Sequence, residues 1–366
     1  MLAYTVSMIL MTVVLGLAFW ATPAISRDTL PLGVSVPAER VRDPVVLRAI
    51  RTWHGCCLVG AAVAVAAIAL LHLSGISASR PGLPVIVMLA QLGAAFASWT
   101  VVRLPIIEAK RREGWYEDRR VRKLAPISTP EESGSVMPWY VVSALLLLVA
   151  AVFVLLRYDT LPDPLPIHWG ADGAVDGWAR RSPLQVLLPA VIGLGLVAVV
   201  ALCARITRRG LLASIPVDGD RGRTRRLTRA QAHLIARAMG PLALATSTSF
   251  AGILVLPLVK SPAAARWWMA ITVTAICLLI LWMIADLIRL SRRFVRRLTP
   301  VDADSPDDDD LWLGGLFYVN RADPSLLVPK RAGVGVDLNY GHPVGRVLAV
   351  FILIDLVFTI GVCIVA

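Results

Sequence analysis

The sequence has few charged residues, and this scarcity decides its class. Only 17% of its 366 residues are charged, whereas 57% are hydrophobic and the mean hydropathy is +0.70. In a soluble domain about a quarter of the residues are charged. The composition therefore excludes an ordinary soluble protein and indicates a membrane protein.

The sequence also lacks the residue patterns of metal sites and active sites. Its five cysteines lie in or at the ends of apolar runs without CxxC spacing, so they support neither a zinc site nor a disulfide framework. The five histidines are scattered, and no nucleophile–base pair or phosphate-binding loop is visible. We predict a protein that is not an enzyme, with no catalytic residue, metal or cofactor.

Long apolar runs are abundant, and eight of them are long enough to cross about 30 Å of hydrocarbon as helices. Aromatic residues such as Trp20 and Trp139 mark several ends of these runs, as expected at a membrane interface. The sequence thus predicts an all-α polytopic membrane protein. The predicted spans are residues 2–22, 55–74, 83–103, 138–157, 183–204, 240–259, 266–289 and 346–366.

These spans and their connecting loops divide the chain into five segments. The third segment is expected to begin with a cytoplasmic amphipathic helix, and the fourth is the largest loop. The segments are 1–137 with spans 1 to 3, 138–206 with spans 4 and 5 around an outer loop at 158–182, 207–289 with spans 6 and 7, 290–345 with an acidic run and a small β meander, and 346–366 with span 8.

The basic residues are divided unequally between alternate loops, which gives the expected orientation. When each is assigned to its nearest loop, 31 of the 37 lysines and arginines follow the odd-numbered spans. The positive-inside rule places those loops in the cytoplasm and both termini outside. We expect the cytoplasmic arginine clusters to meet anionic lipids. The net charge of +12 therefore requires no nucleic-acid partner.

The loop LPDPLPIHWGADGAVDGWARR, residues 161–181, separates spans 4 and 5. Its prolines predict an extended arm, and ADG and VDG are turn signals. It forms either a structural lid over the helices or a contact surface for an external ligand, and metal binding is the weakest interpretation. The candidate ligand contacts are Asp163, His168, Trp169, Asp172, Asp176 and Trp178.

The loop between spans 7 and 8 combines an acidic run, residues 307–310, with three strand-like stretches. LFYVN, SLLVPKR and VGVDLNYG alternate with turn signals and predict a small cytoplasmic antiparallel meander. A meander of this size is marginal by itself, so we expect it to lean on the membrane helices or on residues 23–53, where LGVSV is a candidate extra strand. The acidic run is expected to be solvated rather than a calcium site.

Two aspartates fall inside predicted spans, Asp355 near the middle of span 8 and Asp286 in span 7. A charge at mid-membrane costs at least about 2.5–3.5 kcal/mol, so such residues are functional candidates. Asp355 is either a coupling group for transport or a structural residue that is hydrogen-bonded to a neighbouring helix. Residues 246–249 of span 6, together with Gln91 and Ser98 of span 3, offer partners.

Two stretches resemble motifs of uncharacterised bacterial membrane proteins. LPDPLPIHWGADGAVDGW is similar to a domain best known from SdpI-type toxin-immunity and signalling proteins. Residues 307–343 resemble a second module often found in the same proteins. The resemblance implies a bacterial plasma-membrane protein, and in SdpI-type members the role is protection from a secreted peptide toxin and membrane capture of a repressor. The second motif includes Trp312, Tyr318, Asn320, Asp323, Lys330, Arg331 and Asn339.

Two functional hypotheses follow from this organisation. In the first, the chain is a sensor or immunity protein whose outer loop meets an envelope-active peptide or a stress signal, while the inner module holds a cytoplasmic regulatory protein. In the alternative, it is a transporter or an accessory subunit that uses Asp355 as an intramembrane coupling group.

Overall fold

The computed structural model describes residues 1–117, 137–170, 173–213, 221–259, 261–295 and 307–365. Within these ranges most residues are helical, because the long apolar runs satisfy their backbone hydrogen bonds internally when they fold as helices. The helices are α1 (Leu2–Ile25), α2 (Pro44–Leu73), α3 (Ile76–Ser79), α4 (Leu83–Val102), α5 (Leu104–Arg112), α6 (Met137–Leu155), α7 (Pro183–Ala213), α8 (Arg221–Val259), α9 (Pro262–Val295) and α10 (Pro343–Val365).

The predicted membrane class is confirmed by the length and composition of these helices. Among the described residues, seven helical stretches are long and apolar enough to cross a membrane, and they match predicted spans 1 to 7. The eighth predicted span falls in α10, whose apolar stretch Pro343–Ile354 is shorter, although the helix has 23 residues in all. The chain is therefore a multi-pass membrane protein.

The helices form two groups that α9 joins. Helices α1, α2 and α4 pack together, and so do α6, α7 and α8. Helix α9 packs against α1 of the first group and against α8 of the second, whereas α10 contacts α4. Each of the two helix groups has its own buried apolar core.

The segment predicted as an amphipathic helix before span 6 is helical and continuous with that span. Helix α8 continues from Arg221 to Val259 over 39 residues, so that segment and the span form one rod. Pro241 lies inside α8 without ending it, and Gly240 next to it leaves room for the ring of Trp139. A side chain at Gly240 would collide with this indole, which explains the small residue at the crossing point.

In the described part of the chain, six short strands lie outside the helices and form three two-stranded antiparallel sheets. One sheet connects α6 with α7, and the other two precede α10. The small antiparallel module predicted from the sequence is thus confirmed, as two hairpins that a parallel bridge between Tyr318 and Asn339 joins. The strands are β1 (Leu165–Trp169), β2 (Val175–Ala179), β3 (Trp312–Leu313), β4 (Phe317–Tyr318), β5 (Leu327–Pro329) and β6 (Val336–Leu338).

The segment between α1 and α2 supports this C-terminal module but adds no strand to it. Leu32 and Gly33 both have positive φ angles, 50° and 71°, so LGVSV begins with a turn, and its extended backbone at Val34 joins no sheet. Val34 and Val36 are nevertheless fully buried against α2, α4 and α5. The expectation that the module leans on residues 23–53 is correct, whereas the extra strand is not formed.

Candidate functional site

The loop between α6 and α7 folds as the hairpin β1–β2. Leu165 pairs with Ala179 and Pro166 with Trp178, and the register shifts on either side of His168. Gly173, at the tip, has a φ of 80° and lies against Pro262 and Arg266 at the start of α9. A side chain there would be strained and would collide with α9, so the glycine lets the tip rest on that helix.

Arg181 anchors the base of the hairpin. Its Nη1 donates to the backbone carbonyls of Tyr158, Asp159 and Leu161, the last at 2.9 Å. The backbone N–H of Arg181 donates to Oδ1 of Asp163 at 3.3 Å. Asp163, a predicted ligand contact, therefore takes part in holding the arm in place. Sequence reasoning missed this role of Arg181, since it requires contacts with backbone carbonyls 20 to 23 residues away.

His168 and Asp176 face each other across the hairpin. His168 Nδ1 lies 2.5 Å from Asp176 Oδ1, and the two side chains are 72% and 53% exposed. Gly177 allows this approach, because a side chain there would meet Cβ of His168. The pair is an open polar surface, and no group of three metal-ligating side chains is found among the described residues. Asp172, the remaining predicted carboxylate, lies outside the described residues.

The two hairpin tryptophans occupy different environments. Trp178 is 54% exposed, whereas Trp169 is half-buried and lines a cavity below the hairpin. An exposed indole on the same hairpin as an exposed histidine–aspartate hydrogen bond offers both an apolar surface and hydrogen-bonding groups. The hairpin thus has the composition of a contact surface as well as the position of a lid.

The cavity beneath the hairpin has a volume of about 270 Å³. Strand β1 forms its roof, and α6, α7 and α8 form its walls. Among the described lining residues Gln185 alone has a side-chain amide, and none is charged. The lining consists of Val154, Leu161, Leu165, Pro166, Ile167, Trp169, Gln185, Val186, Leu188, Pro189, Ile192, Phe250, Ile253, Leu254 and Pro257.

Sequence reasoning did not predict this cavity, although two residues signalled it. Pro189 and Pro257 stand inside apolar helices, where proline removes a backbone hydrogen bond and disturbs close packing. Both prolines lie in the cavity wall. Apolar pockets with a few polar groups at the rim are the common form of small-ligand sites. The cavity is therefore suited to bind an apolar group of a ligand that approaches from the side of the hairpin.

The opposite end of the helices carries a buried ion network in the C-terminal module. Arg331, whose side chain is 4% exposed, pairs with Asp308 and Asp309. Lys110 of α5 pairs with Asp307 and, at 2.6 Å, with Asp309. The expectation of a solvated acidic run is therefore wrong for Asp308 and Asp309, which are partly buried and pair with these cations, whereas Asp310 is exposed as expected.

Asp309 is the centre of this network. Its Oδ1 also accepts the backbone N–H of Ser35, while Arg331 donates to the carbonyl of Gly33 and to Oγ of Ser35. Burial alone would raise the pKa of Asp309, but Arg331 and Lys110 together outweigh it and lower that pKa. The ionised carboxylate is thus the stable form, and it ties the module to the α1–α2 segment and to α5.

The remaining motif residues fold the module itself. The side chain of Asn339 is fully buried, donates to the carbonyls of Asn320 and Asp323, and accepts the N–H groups of Asn320 and Gly341. Tyr318 donates to Asp323 at 3.1 Å and packs on Trp312. Lys330 contributes its backbone N–H to the β5–β6 turn. These contacts hold the module in its folded shape, so the residues of this motif are needed for the structure of the module.

Of the two predicted intramembrane aspartates, only Asp286 has a described side chain. Asp286 accepts a 2.9 Å hydrogen bond from Arg289 one turn later on the same helix. The hydroxyls of Thr246, Ser247, Thr248 and Ser249 donate back to carbonyls of their own helix. The side chain of Asp355 lies outside the described residues, so its transport role stays a prediction.

Comparison with known proteins gives two partial matches. Residues 145–193 match a domain of unknown function, DUF1648, and residues 321–346 match a family of unknown function, DUF5808. No curated protein and no solved structure matches the chain. The first match spans the hairpin, much of the cavity wall and their flanking helices, and the second spans part of the C-terminal module. The chain is therefore similar in these two regions to families whose function is unknown.

Proposed function

We propose that this protein is a non-enzymatic receptor of the sensor or immunity type, which binds the apolar part of an envelope-active peptide. The observation that carries this proposal is the apolar cavity under the β1–β2 hairpin, with Trp178 and the His168–Asp176 pair exposed above it. Burial of an apolar side chain in such a cavity contributes about 1.5–3 kcal/mol. The exposed His168–Asp176 pair would orient the bound peptide by hydrogen bonding.

The proposed setting is the plasma membrane of a bacterium, with the hairpin and both termini outside. The division of basic residues between alternate loops supports this orientation. The arginine-rich loops would then face the anionic lipids of the inner leaflet. The resemblance of the hairpin motif to SdpI-type proteins supports a role in peptide defence or signalling.

Helix α7 is the proposed connection between the two faces. It supplies Gln185, Pro189 and Ile192 to the cavity wall, and its other end contacts β5 and β6, where Thr207 lies beside Gly335. From Gln185 to Thr207 the helix extends roughly 33 Å. A shift of α7 on ligand entry would therefore reach the C-terminal module, and that module would hold a cytoplasmic regulatory protein.

Two neighbouring residues of α7 provide a test. Both side chains are exposed, Ile192 by 46% and Val191 by 60%, but only Ile192 belongs to the lining of the cavity. The protein is placed in nanodiscs, and binding of a fluorophore-labelled amphipathic leucine–lysine peptide is measured against empty nanodiscs. We expect Ile192→Trp to fill the cavity and weaken binding about ten-fold, a loss of roughly 1.4 kcal/mol, while Val191→Trp leaves binding unchanged.

If the two variants bound the peptide equally well, the cavity would not be the binding site. A second result bears on the biological role. If a strain that lacks the gene keeps its normal sensitivity to membrane-active peptides, the protein does not act in peptide defence, even if the cavity binds the probe.

A further inference from the structure

The β3–β4 hairpin has two faces of opposite character. Trp312 pairs with Tyr318 on one face, and both are buried against the module. Leu313 pairs with Phe317, and Leu313 is 70% exposed. Paired residues point to the same side of an antiparallel ladder. An exposed leucine beside an aromatic ring is therefore presented on the outer face of the hairpin.

The position of Phe317 places this outer face beside a membrane helix. The ring centroid of Phe317 lies 6.1 Å from that of Phe96 in α4 and 5.4 Å from that of Tyr340, just before α10. Phe96 is itself exposed on α4. It stands six residues before the end of α4 at Val102, which is roughly 9 Å inside the apolar helix.

The backbone of the hairpin turn is satisfied by protein groups, as an apolar surrounding requires. The indole N–H of Trp99 donates to the carbonyl of Gly314 at 3.0 Å. The N–H groups of Gly315 and Leu316 donate to the carbonyls of Trp312 and Leu313. Non-helical backbone is tolerated at membrane depth only when its polar groups find such partners. Here the partner for Gly314 comes from the membrane helix itself.

We propose that residues 313–317 form a re-entrant tip, which inserts Leu313 and Phe317 between the acyl chains of phospholipids beside α4. The tip extends the lipid-facing surface of Phe96 outward onto the module. Its partner is the hydrocarbon edge of the bilayer, and the neighbouring ring of Tyr340 is of the type that settles at a membrane interface. The module is thus held by the lipid as well as by its ion network.

Photolabelling tests the insertion in the unaltered protein. The full chain is reconstituted in nanodiscs that contain a phospholipid with a diazirine group on its acyl chain. After irradiation, the labelled residues are identified by mass spectrometry of the digested protein. We expect lipid adducts within residues 313–317, as on the exposed face of α4. Labelling of α4 without any adduct in the tip would overturn the proposal.

A graded control uses two exposed aliphatic positions of the same hairpin. Leu313 is at the tip, and Val319 lies next to Leu311 near the base, where its N–H bonds to the Leu311 carbonyl. Each is changed to cysteine in a background without other cysteines and labelled with NBD. Because two strand residues span roughly 7 Å, bromines on the acyl chains should quench Leu313→Cys clearly more than Val319→Cys. Stronger quenching of Leu313→Cys by aqueous iodide would overturn the insertion.

Discussion

The two irregular regions of the molecule use the same interaction in opposite ways. In the β1–β2 hairpin the His168–Asp176 pair joins two strands, yet both side chains are largely exposed. In the C-terminal module Arg331 is almost completely buried between Asp308 and Asp309. Exposed ion pairs contribute little to stability, whereas a buried charge requires its partners. The charged side chains of the module therefore stabilise the fold, whereas the polar side chains of the hairpin are accessible to a ligand.

The largest expected effect comes from breaking the buried network. Arg331→Met removes the cation between Asp308 and Asp309 and also its bonds to Gly33 and Ser35. An uncompensated buried charge typically costs about 3–5 kcal/mol. We expect the module to lose that much local stability, measured by hydrogen exchange of the amides around Val328 and Asn339 in nanodiscs.

Arg321 serves as the matched control, because it is an exposed arginine of the same module. Arg321→Met should leave the exchange rates unchanged. Adding Asp308→Asn to Arg331→Met should recover part of the loss, since it removes one of the two carboxylates that lost their contact with Arg331. Normal protection in Arg331→Met alone would contradict the structural role of the network.

A smaller loss of stability is expected when the pH is lowered. Burial would raise the pKa of Asp309, but Arg331 and Lys110 outweigh burial and lower it below its ordinary value. The folded module then binds fewer protons at this site than the unfolded chain does. Its contribution to stability is complete above about pH 4 and is lost as the pH falls through the lowered pKa.

Asp309→Asn isolates this contribution. The variant should be less stable than the unaltered protein at neutral pH, and the difference should shrink as the pH falls below about 4. Asp310 is the neighbouring exposed carboxylate, so Asp310→Asn should follow the unaltered protein throughout. A stability that is independent of pH in this range would show that Asp309 is not the group that titrates.

The spans were predictable from the sequence because membrane helices depend on local composition. Lys110 and Asp307, in contrast, lie 197 residues apart, and nothing local in DADSPDDDD distinguishes a solvated run from a buried clamp. The hairpin was foreseen as an extended arm with turns, but not its pairing or the cavity below it. LGVSV gave the opposite error, because its β-branched residues predicted a strand. The chain instead turns at Leu32 and Gly33, and Val34 and Val36 are buried without pairing in a sheet.

The smallest expected effect on stability is at the hairpin. His168→Gln removes an exposed pair, so the free energy of unfolding should change by less than about 1 kcal/mol. Affinity for the amphipathic peptide probe should nevertheless fall several-fold, because we propose that this exposed histidine contacts the ligand on the hairpin that forms the roof of the cavity. Asp159→Asn, an exposed acid at the base of the hairpin, is the control. If His168→Gln unfolds the hairpin and leaves binding intact, the pair belongs to the fold, and the contrast with the buried network disappears.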